Sequence, residues 1–258
     1  MIRCSEAAAG EPLHGTAPER RFWWAIDHPG PWPVQPIVES VLGDLASWVM
    51  PLAERADTTV VLIRQRDPGA PRQVYLADTH GGTLSVGPSG PSLPPLEACS
   101  DTLTLVCTHG RRDQCCAVLG RPLVDVVEGG RESSHIGGHR FAPTVLLLPS
   151  GIVLGRCTAQ EWPRVGLLDS AALPYYRGRT ALNAPAQVVD AEARRIWRLG
   201  LTESISVTRD MTSEHMRFHA SHDGENLVVD VEATDVPYIP SCGKAEDTTT
   251  VWRVTGRG

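Results

Sequence analysis

Two cysteines spaced C-x8-C, Cys107 and Cys116, are followed by two histidines spaced H-x3-H, His135 and His139. A fold that uses all four must bring two soft thiolates and two imidazoles to one point, enough to ligate a metal ion or a small iron–sulfur cluster. Cys115 lies beside Cys116, so spacing leaves open which of the adjacent thiols completes the set. Gly137-Gly138 between the histidines disfavours a helix by about 1 kcal/mol per glycine relative to alanine. A loop is expected instead, in which glycine lets the backbone approach a bound group closely. A Cys2His2 set also suits tetrahedral zinc, so spacing does not name the metal.

The remaining composition narrows the context. The seven cysteines are Cys4, Cys99, Cys107, Cys115, Cys116, Cys157 and Cys242. An odd count at irregular spacing argues against a disulfide framework and for site chemistry. The formal charge of −6, with no face-forming Lys/Arg run, gives no reason to expect nucleic acid as a partner. Val145–Leu148 and Ile152–Leu154 are apolar, but Pro149-Ser150-Gly151 splits them and both are far too short to span a membrane. Met-Ile-Arg-Cys-Ser-Glu at the start lacks a basic segment followed by a long apolar one, so a cytoplasmic location is expected.

Periodicity gives a mixed α+β or α/β class. Arg21–Asp27 reads as a strand, and apolar residues from Ile37 to Leu52 recur at helical spacing. Thr58–Arg66 and Gln73–Ala77 read as further strands, making a β-α-β-β unit after a turn-rich start. Gly81–Pro95, rich in Gly, Pro and Ser, reads as a linker or long surface loop. Thr102–Val106 is expected to be a buried strand delivering Cys107, and Asp113 to cap a helix that Gly120-Arg-Pro122 interrupts. Thr144–Leu148 and Ile152–Arg156 form an expected hairpin, and Asn183 caps an expected helix over Ala184–Leu199. Residues 203–254 alternate as an antiparallel element, with Asp223-Gly224 as a hairpin turn. The expected division is residues 1–95, 96–200 and 201–258.

Cys107-Thr-His-Gly-Arg-Arg-Asp-Gln-Cys-Cys116, Ser134-His135-Ile-Gly-Gly-His139-Arg-Phe-Ala142 and Leu148-Pro-Ser-Gly-Ile-Val-Leu-Gly155-Arg156 together resemble the sucrase/ferredoxin-like family. Weaker resemblance extends from Arg3-Cys4-Ser5 to Ser241-Cys242-Gly243. The resemblance implies a thioredoxin-like ferredoxin domain at 96–200, preceded by the β-α-β-β unit and followed by the β-rich element. It implies a [2Fe-2S] cluster held by Cys107, Cys116, His135 and His139, with Cys115 as the alternate to Cys116. The sucrase part of the family name implies nothing here, because no carboxylate pair stands in a setting for glycoside hydrolysis.

Charge counting shows what such a set does. An oxidised core of +2 with four thiolates carries −2, whereas two thiolates and two neutral imidazoles bring it to zero, so its potential lies well above that of plant-type ferredoxins. A coordinated imidazole with an exposed N–H couples electron transfer to proton transfer. His109, Arg111, Arg112 and Arg140 lie beside the ligands in sequence, as surrounding hydrogen-bond donors or as a docking surface for an acidic redox partner. A solvated loop charge is an equally ordinary reading of each. Cys4, Cys99 and Cys157 are assigned to packing or loops, and Cys242 to a structural role. His215, His219 and His222 do not share one strand face, which argues against a three-histidine site.

The function expected is a one-electron carrier served by a separate flavin or NAD(P)H-dependent reductase and an electron acceptor. The competing readings are a thioredoxin-type thiol enzyme using Cys107 or Cys115/Cys116, weakened by the lack of C-x-x-C, and a zinc-stabilised binding module. Rossmann, Walker and H-E-x-x-H patterns are absent from the sequence.

Overall fold

Strand residues alternate between two cores. In the computed structural model, which describes residues 3–65, 67 and 69–258, β1 (Phe22–Asp27) sends Trp23 and Ala25 to one core and Trp24 and Ile26 to another. β2 (Thr58–Arg64) divides Val61 and Ile63 from Val60 and Leu62 in the same way, as the two-residue period of side-chain direction requires. Both faces of these strands are covered, which is why residues 58–63 read as a nearly continuous apolar run.

β3 (Gln73–Asp78), β4 (Thr83–Pro88), β5 (Glu97–Cys99), β6 (Leu103–Cys107), β7 (Arg131–Ser133), β8 (Thr144–Leu148), β9 (Ile152–Gly155) and β10 (Tyr176–Arg179) complete a ten-stranded sheet. Its order is β10-β9-β8-β6-β7-β2-β1-β3-β4-β5. The two halves repeat one arrangement. β1 is parallel to β2 and antiparallel to β3, which is antiparallel to β4. Likewise β6 is parallel to β7 and antiparallel to β8, which is antiparallel to β9. The halves meet through antiparallel β2 and β7, with Ile63 opposite Ser133. One core takes side chains from both halves: Trp23, Val61 and Tyr75 with Leu105, Cys107 and Leu146.

Helices α1 (Cys4–Ala7), α2 (Glu39–Leu42), α3 (Ala46–Ala53), α4 (Gln114–Val126), α5 (Trp162–Val165) and α6 (Ala184–Trp197) surround the sheet. α3 places Trp48 and Val49 against Trp24 and Leu62, and α4 places Leu123 and Val124 against Val106 and Val145. Burying such a side chain fully stabilises the fold by about 1.5–3 kcal/mol. Strands β11 (Ser206–Arg209), β12 (Arg217–His222), β13 (Glu225–Tyr238) and β14 (Asp247–Arg257) form a second, antiparallel sheet in sequential order. α6 lies between the sheets, with Ala191 in the core of the first and Val189 packed on Phe218 and Val229 of the second.

The class is mixed α/β, as expected. Asn183 accepts from the Ala186 N–H at 3.1 Å to open α6, and Asp223 and Gly224, both at positive φ, turn β12 into β13. Three expectations change. The helical periodicity of residues 37–52 is divided into α2 and α3 by a tight turn at Gly43, whose φ is +55°. Gly81–Pro95 is not purely loop, because Thr83–Pro88 is β4, paired with both β3 and β5. Its glycine marks a close approach: a Cβ on Gly87 would collide with the Pro95 carbonyl. Gly120 and Pro122 do not interrupt α4 either. A Cβ on Gly120 would strike the Cys107 carbonyl oxygen, so glycine lets α4 sit directly on the end of β6. The expected end of the second strand at Arg66 lies outside the described residues. Strands on both sides of residue 95 belong to the one sheet.

Candidate metal centre

Each part of the Cys/His set is placed by a different element. β6 ends at Cys107, and the parallel β7 pairs Cys107 with Ser133. Two residues later the chain reaches His135, after the Ser134 N–H has donated to the Leu62 carbonyl (2.7 Å) and its hydroxyl oxygen has accepted from the Leu62 N–H (2.9 Å). Ile136 is buried in the shared core, anchoring the loop on its far side. Gly137 and Gly138 have φ of +108° and +70°, and a Cβ on Gly138 would collide with the Arg177 guanidinium. The loop expected between the histidines is present, and His139 opens a short 3-10 turn.

Cys116 stands in the first turn of α4, whose N-cap is Asp113, accepting from the Cys115 N–H at 2.9 Å. Cys107, Cys116 and His135 offer ligand atoms that lie within 4.8 Å of one another. His135 Nδ1 is 4.0 Å from Cys107 Sγ, and its Nε2 is 3.4 Å from Nδ1 of His139. His139 Nε2 contacts the Pro240 carbonyl and lies 3.8 Å from Asp113 Oδ2. Since a carbonyl only accepts, Nε2 carries the proton and Nδ1 faces His135 as a free lone pair.

The electrostatics divide the two thiols. A hydrogen bond from Cys116 lowers the Cys107 thiol well below its ordinary range despite full burial, aided by His135 and the His109 backbone N–H. The Cys116 thiol is raised by the same hydrogen bond and by burial. Burial and the neighbouring His135 lower His139, so its imidazole is neutral. Cys107 is therefore favoured as a thiolate and His139 as a neutral imidazole, the states in which cysteine and histidine can act as metal ligands.

The flanking residues sort differently. His109 gives its backbone N–H to the site, but its side chain turns away: Nε2 donates to the Pro33 carbonyl at 2.8 Å. Arg111 and Arg112 are exposed on the loop before α4. Arg140 is engaged by Glu11 at 2.8 Å and lies over the rings of Phe141 and Tyr238. Arg177, unremarkable in sequence, is fully buried behind the site and donates to Thr16 Oγ1 and the Gly137 carbonyl, each at 3.0 Å. Burial and then Arg140 pull it down to about 9, while Cys107 and Cys116 work the other way, so it remains a cation at neutral pH.

Cys115 points elsewhere, into a group with Cys4, Cys242 and Asp113. From sequence Cys4 is expected in packing or a loop and Cys242 in a structural role, and neither expectation places them together in this group. The flanking Arg-Cys-Ser and Ser-Cys-Gly segments were its only sequence signal. Cys157 is a core thiol as expected, pushed up to about 12 by burial. His215, His219 and His222 do not form a metal-ligating group among the described residues.

A mixed α/β protein with buried Cys/His groups able to bind metal is the class these features define. Residues 38–171 match the sucrase/ferredoxin-like family model, and the chain belongs to that family. Comparison with curated proteins and with solved structures gives no match. Among the described residues, no helix is long and apolar enough to cross a membrane.

Proposed function

We propose that Cys107, Cys116, His135 and His139 hold a [2Fe-2S] cluster, and that the protein is a one-electron carrier. The observation that carries this is the gathering of Cys107, Cys116 and His135, with His139 Nδ1 3.4 Å from His135. Their protonation states fit: one thiol is favoured as thiolate and His139 Nδ1 is free of a proton. When bound, such a cluster supplies reversible one-electron chemistry.

The side chains set the character of that chemistry. Two thiolates contribute −2 where an all-cysteine set contributes −4, and buried Arg177 adds a fixed positive charge behind them. Both favour the reduced form and raise the potential. The Pro240 carbonyl holds the proton on His139 Nε2, which is where redox-linked proton transfer would take place. His135 is half-buried, giving electrons a short path to the surface. Exposed Arg111 and Arg112 suit an acidic redox partner, in this reading a separate flavin or NAD(P)H-dependent reductase or an electron acceptor. The unit β6–α4–β7–β8–β9, one parallel crossover followed by two antiparallel returns, supports a thioredoxin-like ferredoxin unit.

Iron and sulfide analysis of anaerobically purified protein, with its visible spectrum, tests the proposal. Two irons and two sulfides per chain support it. A colourless protein that takes up zinc and no iron under cluster reconstitution would sink it in favour of a zinc-stabilised binding module.

A further inference from the structure

Three cysteines from remote parts of the chain meet at one point. Cys4 lies in α1, Cys115 in the first turn of α4, and Cys242 in the loop between β13 and β14. Their sulfurs form a near-equilateral triangle: Cys4 to Cys115 is 3.6 Å, Cys4 to Cys242 3.6 Å, and Cys115 to Cys242 3.4 Å. Asp113 closes the figure, its Oδ1 lying 3.3 Å from Cys242 Sγ and 3.6 Å from Cys4 Sγ. Cys4, Cys115 and Asp113 are all buried.

We propose that Cys4, Asp113, Cys115 and Cys242 form a second metal site, tetrahedral and selective for zinc, beside the cluster site. Metal–ligand lengths of about 2.3 Å to sulfur and 2.0 Å to oxygen give tetrahedral edges of about 3.8 Å between sulfurs and about 3.5 Å between sulfur and oxygen. The observed edges lie within about 0.4 Å of those values. A disulfide requires about 2.05 Å between sulfurs and pairs only two of them, whereas all three thiols are free and evenly spaced.

Two further donors point at the sulfurs. The Cys4 backbone N–H donates to Cys242 Sγ at 3.5 Å, and the Ser5 hydroxyl donates to Cys115 Sγ at 3.2 Å. Both stabilise negative sulfur, as outer donors around a metal do. Asp113 is oriented on its other oxygen, where Oδ2 accepts from the Ser241 hydroxyl at 2.8 Å and the Cys242 N–H at 3.0 Å. The basic side chain near it among the described residues is His139, neutral and 3.8 Å away. The Asp113 carboxylate is held charged by the Ser241 and Cys242 donors and by the Cys115 N–H, so it is an anionic oxygen ligand facing three thiols. Three sulfurs and one oxygen suit zinc and not calcium or magnesium, which take oxygen ligands.

The site ties α1 and the β13–β14 loop to the start of α4. The loop residue Pro240, two places before Cys242, supplies the carbonyl that orients His139. Zinc at this site would therefore fix the outer wall of the cluster site without contacting the cluster.

The test is metal analysis of the full chain, purified anaerobically and exposed to zinc, for wild type, Cys4→Ser, Cys242→Ser and Cys107→Ser. One zinc per wild-type chain, falling at least tenfold in Cys4→Ser and Cys242→Ser and kept in Cys107→Ser, is expected. Zinc retained by the first two variants, or no zinc in wild type, would overturn the site. Should those variants fail to fold, alkylation of the wild-type protein decides. Zinc is expected to protect Cys4, Cys115 and Cys242 from iodoacetamide and chelation to expose them; equal labelling in both states, or a disulfide among the three, counts against it. Iron is read in the same samples. Its absence beside zinc lost only from the Cys4 and Cys242 variants contradicts the proposed function and supports this site.

Discussion

Cys115 and Cys116 are neighbours in the chain, yet their sulfurs serve different groups, Cys115 with Cys4 and Cys242 and Cys116 with Cys107 and His135. Successive residues of a helix point about 100° apart, so the first turn of α4 can feed two sites at once. Spacing does not separate the two thiols; the fold groups Cys116, and not Cys115, with Cys107 and His135. Cys116→Ser is expected to remove most bound iron and visible absorption. Cys115→Ser is expected to leave both in place, and the reverse pattern would assign the cluster to the other thiol.

Gly120→Ala is expected to destabilise the fold by about 1–3 kcal/mol, the usual cost of forcing atoms into a packed contact. The added Cβ meets the Cys107 carbonyl, so β6 and α4 must part where Cys107 and Cys116 face each other. Thermal unfolding and iron content should fall together. An unchanged Tm would show that the helix–strand contact is looser than this.

Arg177→Met keeps an aliphatic stem and removes the buried cation. The partly buried Gly137 carbonyl and Thr16 lose a charged donor, at a cost of about 1.5–3 kcal/mol for a hydrogen bond to a charged group. The potential of the iron-loaded protein should also drop, since a positive charge near Cys107 and Cys116 favours the added electron. Spectroelectrochemistry checks this, and an unchanged potential would remove Arg177 from the account.

Acid should destabilise the protein through its buried histidines. Burial lowers His14, whose Nδ1–H donates to the Tyr176 carbonyl at 2.7 Å, and also lowers His28. Each is neutral in the fold, while the unfolded chain takes up protons below about 6.5. By linkage, the stability is fully present above about pH 6.5 and is lost as pH falls through that value toward the lower folded-state pKa. Denaturant midpoints measured from pH 7.5 to 5 should fall, and fall less steeply in His14→Gln. An equal slope in that variant would exclude His14 as a source.

Local signals carried much of this structure. The Asp113 and Asn183 caps, the hairpin at Asp223-Gly224 and the strand leading to Cys107 depend on neighbours within a few residues, and the sequence shows them directly. Cys107, Cys116 and His135 lie on one crossover and the loop after it, so their C-x8-C and histidine spacing was visible in the sequence while their approach in space was not. Gly120 misled because its composition reads as a break, while a contact with β6 decides its purpose. Cys4 and Cys242 were illegible for the same reason: they stand 238 residues apart and no spacing rule joins them. The repeated strand order of the sheet halves is likewise a property of pairing that side-chain pattern does not encode.

The most direct test of the central claim is the reduction potential of the iron-loaded protein, compared with His135→Cys and His139→Cys. Each substitution replaces a neutral donor by a thiolate, so both variants should keep two irons and show a lower potential than wild type. Potentials unchanged in both, at full iron content, would contradict ligation by the two histidines.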